Sequence, residues 1–324
     1  MLSSGAGSSM HAAKIQLAPV DVCSWEQDAL FGVFPQGARA KLAYLSPEDV
    51  TDAFLIPQHR YLFKRSKNSY PDQFWGEVVA YRIGQLVGVD VPPAFAAMDS
   101  TTGISAALIE WFYKDGAETF SHAGDFLPRI RPGFDRERGA DHNLADCQRL
   151  LDAWARARRL QDDWTVWWGK ALVFDALIGN TDRHQDNWGL IFTTDKETKT
   201  RLARLSPYFD NGTSLGHERF TERVAGWGGR EFDMYLSKGK HHVRWAHKDE
   251  GSRSHFDLVA RFAEKWPTAR PAMRDMLSFS DEELHRCAED LLELKLTVPL
   301  SVERLGWMMK LTLLRRQRLI EALV

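Results

Sequence analysis

The feature of this sequence that most restricts its fold is a change of hydrophobic pattern about a third of the way along the chain. Before residue 114, short runs typical of β-strands alternate with turns, at residues 41–45, 60–64 and 104–111. One helix interrupts them, predicted by apolar residues at helical spacing: Trp75, Val78, Val79, Ile83, Leu86 and Val87. Gly88 and two following prolines end it. Residues 14–113 are therefore predicted to form a small β-rich lobe with one main helix.

The remainder of the chain is predicted to be mostly helical. Residues 115–144 are rich in Gly, Asp, Arg and Pro, which is typical of a loop-rich connection. Helical spacing then recurs at residues 160–178, 256–265, 281–294 and 302–323. Residues 219–250 show no clean period and are predicted to be a long surface loop of the kind that carries binding function.

The sequence thus predicts an α+β protein of two lobes. Residues 114–324 are the predicted helical C-lobe. Residues 1–13, which are rich in Ser and Gly, are predicted to be a flexible leader.

Composition argues against several classes of protein. The 324 residues carry a formal net charge of -2 with a pI near 6.6, so no direct nucleic-acid partner is expected. Cys23, Cys147 and Cys287 form no CxxC pair, so neither a disulfide framework nor a zinc site is indicated, and a reducing, cytoplasmic location is expected. No apolar run approaches ~18 residues, so no membrane span is expected.

The residues that indicate chemistry follow the long apolar helix pattern. Residues 179–192 read GNTDRHQDNWGLIF, and residues 205–212 read LSPYFDNG. Asp182 and Asn187 are five positions apart, as are the catalytic Asp and metal-binding Asn of kinase loops. Asp210 follows 28 positions after Asp182 (210 − 182), where a second metal-binding Asp would stand.

These three residues are the predicted catalytic set. Mg²⁺ takes hard oxygen ligands, usually one or two carboxylates beside phosphate and water. Asn187 and Asp210 are therefore the predicted metal ligands. Asp182 is predicted to orient or deprotonate the acceptor hydroxyl.

The predicted small lobe supplies a candidate ion pair for the phosphates of ATP. Lys64 lies in a strand-like run, and Glu77 follows 13 positions later (77 − 64) on the first turn of the predicted helix. A strand Lys paired with a helix Glu holds the α- and β-phosphates in kinases. Lys64 and Glu77 are therefore predicted ATP-binding residues.

Two further segments are candidates for ATP binding. Residues 34–41 (FPQGARAK) are a candidate flap over the phosphates, with Gly37 for close backbone approach and Lys41 at its end. The hinge is expected directly after the third strand-like run, where the backbone of Glu110 and Phe112 would meet adenine. Neither a GxGxxG nor a Walker motif is present.

Each candidate also has an ordinary structural interpretation. Asp182 fits a turn or a helix cap, Lys64 fits an exposed strand residue, Glu77 fits a solvated helix residue, and Gly37 fits a plain turn. The joint occurrence of TDRHQDNW after a buried helix and FDNG about one hairpin later favours the metal-site interpretation.

The neighbouring polar residues allow more than one interpretation. Arg183 has no clear independent role, and His184 is expected to position the loop, with acid–base work as the alternative. Asp186 is expected to face solvent or to act as a secondary anchor. The basic residues between 238 and 244 fit either a site for an acidic substrate or phosphate, or a solvated loop.

These segments resemble the HipA-like kinases, within the wider group that includes phosphoinositide 3- and 4-kinases. GNTDRHQDNWGLIF followed by LSPYFDNG is similar to the catalytic segment of that family. YLFKRS and GEVVAYRIGQLVGVDVPP are similar to its Lys strand and Glu helix, and QGARAK resembles its phosphate loop. The resemblance covers residues 34–212, over half of the chain.

The resemblance implies a Mg·ATP-dependent Ser/Thr protein kinase with a two-lobed, protein-kinase-like fold. It implies that Asp182 is the catalytic Asp, that Asn187 and Asp210 hold metal, and that Lys64 is the ATP lysine. HipA proteins are toxins with a DNA-binding antitoxin and are regulated by autophosphorylation in the phosphate loop, so an antitoxin is a candidate partner. This chain departs from the family in starting close to that loop and in having no Ser or Thr in residues 31–41.

Three functions stay open. The first is a HipA-like kinase acting on a protein such as a translation factor or a synthetase. The second is a lipid or small-molecule kinase, since TDRHQDNW and DNG also resemble type II phosphatidylinositol 4-kinases, although no strong amphipathic basic helix is present. The third is an inactive nucleotide- or partner-binding module, against which the intact set of site residues counts.

Overall fold

The computed structural model describes residues 16–28, 41–249 and 254–324. The predicted leader and Gly37 of the predicted flap lie outside these described residues. Within them, no helix is both long enough and apolar enough to cross a membrane.

A mixed sheet forms the N-terminal part of the fold. Its strands are β1 (Val20–Asp21), β2 (Glu26–Gln27), β3 (Lys41–Leu45), β4 (Arg60–Arg65), β5 (Ala94–Asp99) and β6 (Ile104–Glu110). Over the described ranges the strand order is β1-β5-β6-β4-β3-β2, with β1 parallel to β5 and every other pair antiparallel. Since β4 has a neighbour on each side, Lys64 lies in the interior of the sheet.

One amphipathic helix, α1 (Trp75–Leu86), packs on β5 and β6. Its apolar side chains are buried, as the helical spacing predicts, except for the half-buried Leu86 at its end. Gly88 follows in a left-handed conformation with φ = +69°, so it ends the helix as expected. The predicted strands and main helix of the small lobe are therefore present.

A small antiparallel sheet lies in the C-terminal part and frames the polar segments identified from sequence. Its strands, in spatial order, are β7 (Glu118–His122), β8 (Gly189–Thr194) and β9 (Arg201–Leu205). Residues 182–187, the DRHQDN loop, end just before β8. Residues 209–212, the FDNG segment, follow β9. The β8–β9 hairpin therefore links the two segments.

Helices make up most of the remaining C-terminal part. They are α2 (Leu127–Ile130), α3 (Leu144–Arg156), α4 (Trp164–Ile178), α5 (Thr221–Val224), α6 (Gly229–Ser237), α7 (His255–Lys265), α8 (Arg270–Asp275), α9 (Asp281–Arg286) and α10 (Val302–Ala322). Short 3₁₀ segments span Ala123–Asp125 and Glu289–Glu293. The buried helix α4 packs against α7, α8 and α10, so it is the axis of the helical core.

Several predicted boundaries are wrong for local reasons. The helix predicted from residue 160 begins at Trp164, because the Asp163 carboxylate caps it by accepting from Thr165 N at 2.9 Å. Leu160 instead makes a β-bridge with Ala203. The helix predicted over residues 281–294 divides into α9 and a 3₁₀ segment. The stretch predicted to be loop-rich contains β7, and residues 219–250 contain α5 and α6.

Gly179 ends α4 and leads into the DRHQDN loop. Its backbone is left-handed, with φ = +71°, and its N–H donates to Asp175 O. A Cβ added there would lie 2.8 Å from the guanidinium carbon of Arg315. Both the backbone conformation and the close approach therefore require glycine.

We expect Gly179→Ala to lower the free energy of unfolding by more than Gly133→Ala does. Gly133 also has a left-handed backbone, φ = +83°, but nothing lies within 4 Å of an added Cβ. The control should lose roughly 1–2 kcal/mol from backbone strain alone, and Gly179→Ala should lose more because Arg315 must move. Denaturant unfolding measures both. Equal losses would contradict a tightly packed contact between Gly179 and Arg315.

Candidate active site

Arg183 is the buried centre of the candidate site. Only 1% of its side chain is exposed, and all five of its N–H groups donate hydrogen bonds. Nε and Nη2 contact the two carboxylate oxygens of Asp175, at 3.1 and 2.7 Å. The other acceptors are Asn187 O (3.2 Å), Phe209 O (2.5 Å) and Asn211 Oδ1 (2.8 Å). One side chain therefore joins α4, the DRHQDN loop and the FDNG segment.

Asp210 has a left-handed backbone with φ = +59°, which is uncommon for a residue with a side chain and costs of order 1 kcal/mol. Its neighbours hold that conformation. Phe209 O accepts from Arg183, and Asn211 N donates to Glu77 Oε2 at 2.9 Å. The carboxylate of Asp210 is consequently presented by a backbone that is fixed on both sides.

Lys64 connects the N-terminal sheet to the FDNG segment. Its Nζ lies 2.6 Å from Glu77 Oε1 on α1 and 2.6 Å from Asp210 Oδ1. Lys64 and Glu77 are almost fully buried, whereas 25% of the Asp210 side chain is exposed. Gln73 adds a second link, because its Nε2 donates to Gly212 O at 3.0 Å. Of the two carboxylates on Lys64, Asp210 is the one that a ligand can reach.

The DRHQDN loop positions Asp182 through its backbone. The N–H of Asp182 donates to Asn180 Oδ1 at 2.9 Å. Its carbonyl oxygen accepts from Asn187 Nδ2 at 2.7 Å and from His184 N at 2.8 Å. The side chain is half-buried. A carboxylate on such a fixed backbone suits a residue that must orient another group.

Asn187 is oriented as an oxygen ligand would need to be. Its Nδ2 is bound to Asp182 O, which fixes the side-chain amide. No protein donor contacts its Oδ1 within the described ranges. Among the described residues, no group of three or more His, Cys, Asp or Glu side chains could hold a metal. The predicted metal site consists of Asn187, Asp210 and phosphate oxygens, so only one of its ligands belongs to those four residue types. Its oxygen donors fit Mg²⁺.

The structure also places the other predicted ATP-binding residues. Lys41 on β3 is directly opposite Lys64 on β4, so the two side chains share one face of the sheet. The N–H of Glu110 already donates to Pro93 O at 2.8 Å. The N–H of Phe112 has no hydrogen-bond partner in the described part of the chain, and its ring stacks on Phe209 with centroids 5.1 Å apart. Of these two backbone N–H groups, the one of Phe112 could donate a hydrogen bond to adenine.

A buried histidine and arginine support the start of the loop. Arg315 Nη1 lies 3.1 Å from His255 Nδ1, and because a guanidinium only donates, Nδ1 must be the acceptor. His255 Nε2 therefore carries the hydrogen and donates to Asn180 O at 3.0 Å. Burial lowers the pKa of His255, and the nearby His241 and Arg315 lower it further, which agrees with a neutral ring.

The family model for the HipA-like C-terminal domain matches residues 34–285. The chain belongs to this family. One similar solved structure is the Helicobacter pylori proinflammatory kinase CtkA, with a TM-score of 0.71, 15% identity, and coverage of 94% of this chain and 96% of that chain. Another is a chain of the Shewanella oneidensis MR-1 toxin–antitoxin complex of HipA, HipB and operator DNA, with a TM-score of 0.52, 16% identity, and coverage of 91% of this chain and 66% of that chain. No curated protein sequence matches.

These likenesses confirm the predicted α+β, two-lobed, kinase-like fold of this HipA-like chain.

The contacts of Arg183 change one interpretation of the sequence. The sequence predicts no clear role for Arg183, yet the candidate site is built around it. The signal for it is Asp175, a single acid in the otherwise apolar end of α4, since a buried carboxylate needs a partner. Asp186 is a secondary anchor, because it pairs with Arg136 at 2.8 Å.

We expect Arg183→Gln to lower the free energy of unfolding by about 3–5 kcal/mol, because it leaves the buried Asp175 without its cation. Burial already raises the pKa of Asp175, and Arg183 opposes that rise. Asp175→Asn combined with Arg183→Gln should cost less than the sum of the single changes. Denaturant unfolding of the three variants gives the coupling energy. Strict additivity would mean that the two residues do not act as a pair.

Acid should destabilise this fold through its buried histidines. Burial lowers the pKa of His241 to about 3 and of His242 to about 4, and it also lowers those of His142 and His255. Below about pH 6.5 these residues take up protons in the unfolded chain and stay neutral in the fold. Each histidine therefore removes up to about 1.4 kcal/mol of stability per pH unit below that value.

Denaturant unfolding between pH 7.5 and 5.5 measures this loss, with His242→Gln as a variant that should show a shallower slope. A free energy of unfolding that stays level or rises as the pH falls would contradict neutral burial of these rings.

Proposed function

We propose that this HipA-like chain transfers the γ-phosphate of Mg·ATP to a Ser or Thr hydroxyl of a protein. The observation that carries the proposal is the position of Lys64 between Glu77 and the partly exposed Asp210. Glu77 holds the lysine in place, and Asp210 faces the space where a ligand can enter. In this proposal Lys64, with Lys41 beside it on the same sheet face, binds the phosphates.

The charges around Lys64 favour a divalent cation. Lys64 is in direct contact with two carboxylates, those of Glu77 and Asp210, so this group of three side chains carries a net charge of -1 (+1 − 2) with all three ionised. A nucleotide polyanion would be repelled by such a set unless a cation compensates it. Asn187 Oδ1 and the Asp210 carboxylate are the proposed ligands of that cation. Mg²⁺ held by these two residues would neutralise negative charge that develops on the phosphates during transfer.

In the proposed mechanism, Asp182 is the residue that acts on the acceptor hydroxyl. Its backbone is fixed from both ends, so its carboxylate can hold the acceptor hydroxyl in line with the γ-phosphate and accept its proton. Arg183 acts indirectly, since it ties the loop that carries Asp182 to the segment that carries Asp210. The Phe112 amide is the proposed hydrogen-bond donor to adenine.

A protein partner is part of the same proposal. The similar Shewanella chain is found with HipB and operator DNA. By analogy we propose that this chain also binds a regulatory protein of the antitoxin kind, and that any contact with DNA is made through that protein. Pull-down from a lysate of the source cells, with the retained proteins identified by mass spectrometry, tests this proposal, and recovery of no DNA-binding protein would contradict it.

We expect Asp182→Ala to lower phosphotransfer by roughly 10²–10⁴-fold while ATP affinity changes little, because the residue acts on the acceptor. Asp210→Ala should weaken both Mg·ATP binding and transfer. The measurement is transfer from γ-labelled ATP to proteins of a cell lysate, with labelled bands identified by mass spectrometry.

The matched control is Asp186→Ala, which removes a carboxylate of the same loop that pairs with Arg136. Its transfer rate should fall by less than about tenfold. Full activity of the Asp182 variant would refute the catalytic assignment. Labelling of lipid or a small alcohol in place of protein would refute the protein acceptor.

A further inference from the structure

A basic pocket adjoins the DRHQDN loop. It encloses about 430 Å³ and is lined by Arg138, Lys238, Lys240 and Arg244, together with Thr181 and His242. None of the described residues that line it is acidic. We call this cavity the basic pocket. Four cations around one concave space repel one another unless an anion enters it.

Most of these cations lack a carboxylate partner. Among the residues that the structure describes, no Asp or Glu oxygen lies within 4.0 Å of the charged nitrogens of Lys238, Lys240 or Arg244. Arg138 is highly exposed, and its one carboxylate partner among the described residues is Asp135, at 3.7 Å. The positive charge of the basic pocket is therefore largely uncompensated by the part of the chain that the structure describes.

Arg244 is the most informative member of the basic pocket. Its Nε is buried and has no hydrogen-bond partner in the described ranges. Its backbone is fixed, since Arg244 N donates to His142 O at 3.0 Å and Arg244 O accepts from Leu144 N at 2.8 Å. The fixed backbone keeps the cationic side chain of Arg244 in the lining of the basic pocket.

His242 adds no charge at neutral pH. Burial lowers its pKa to about 4, with the neighbouring His184 and Arg244 acting in the same direction. The ring is therefore a neutral wall, and the charge comes from the lysines and arginines. The charge that the pocket itself contributes should therefore stay the same across neutral pH.

The position of the basic pocket connects it to the reaction. Thr181 lines it, and the next residue is Asp182. We infer that the basic pocket binds an acidic or phosphorylated side chain of the protein substrate, a few residues away from the hydroxyl that is phosphorylated. This inference rests on the proposed kinase function. It means that the enzyme prefers substrate sequences with a negatively charged residue near the phosphorylated hydroxyl.

A protein anion fits better than a nucleic acid. Nucleic acids are bound by an extended basic face or groove that follows many phosphates. Here the unpaired cations surround one cavity of about 430 Å³, in a chain whose net charge is -2. A cavity of this volume can take an acidic or phosphorylated side chain together with the adjoining part of a peptide.

The first test compares short peptides that contain one Ser in an Ala/Gly background. One set carries two Asp residues at varied distances from the Ser, one set carries a phosphoserine, and one set carries two Lys residues. We expect kcat/KM for the best anionic peptide to exceed that of the neutral peptide by about tenfold or more. The two anionic sets distinguish a carboxylate from a phosphate. Equal use of anionic, neutral and Lys peptides would overturn the inference.

The second test reverses the charge of the basic pocket. Lys238→Glu with Lys240→Glu changes two exposed side chains, and the preference should invert toward the Lys peptides. An inverted preference requires a folded, active protein, so it also shows that the variant folds. Arg244→Gln should reduce the anionic preference without inverting it. Lys295→Glu, at an exposed position outside the pocket, is the charge control and should keep the wild-type preference.

A binding measurement separates this inference from the proposed function. Fluorescence anisotropy uses each Asp peptide with Ala in place of Ser, and the protein carries Asp182→Ala so that no transfer occurs. Binding that falls about tenfold in the Lys238→Glu, Lys240→Glu background supports the pocket even if wild-type protein phosphorylates none of the peptides. No binding, or displacement of the peptide by a tighter-binding RNA oligonucleotide, overturns it.

Discussion

The structure depends on one buried ion pair, between Arg183 and Asp175. Asp175 lies near the end of an apolar helix, where a carboxylate is tolerated only with a cation and hydrogen bonds. Arg183 provides both, and its remaining N–H groups hold Asn187, Phe209 and Asn211. The ion pair that neutralises the buried Asp175 carboxylate therefore also fixes the positions of the DRHQDN loop and the FDNG segment. A lysine could not replace Arg183, because it has too few N–H donors for these five acceptor atoms.

The strained backbone of Asp210 follows from that arrangement. Arg183 holds the peptide group before it, and Glu77, on the other lobe, holds the one after it. Glu77 also binds Lys64, which in turn reaches Asp210. The lobes therefore meet through a closed set of hydrogen bonds around a single carboxylate. A shift of α1 would alter the position of Asp210, so the proposed site is coupled to the way the lobes pack.

Much of this could be predicted from the sequence, because the informative features were periodic or closely spaced. The strand Lys, the helix Glu and the FDNG segment were recognised by spacing, and the structure brings Lys64, Glu77 and Asp210 together. The role of Arg183 depends on contacts between distant segments, which spacing does not encode. β7 was missed because its short ETFSH sequence is a strand only through pairing with β8. The predicted start of α4 is too early, because the helix begins after its Asp163 cap although the apolar pattern begins at Leu160.

The most direct test of the central claim is a crystal structure of the protein with Mg²⁺ and a non-hydrolysable ATP analogue. We expect one metal ion bound to Asn187 Oδ1 and the Asp210 carboxylate, with Lys64 Nζ on the phosphates and Asp182 facing the γ-phosphate. Arg183 should keep its five hydrogen bonds. A nucleotide bound elsewhere, or a metal ion that neither Asn187 nor Asp210 contacts, would contradict it.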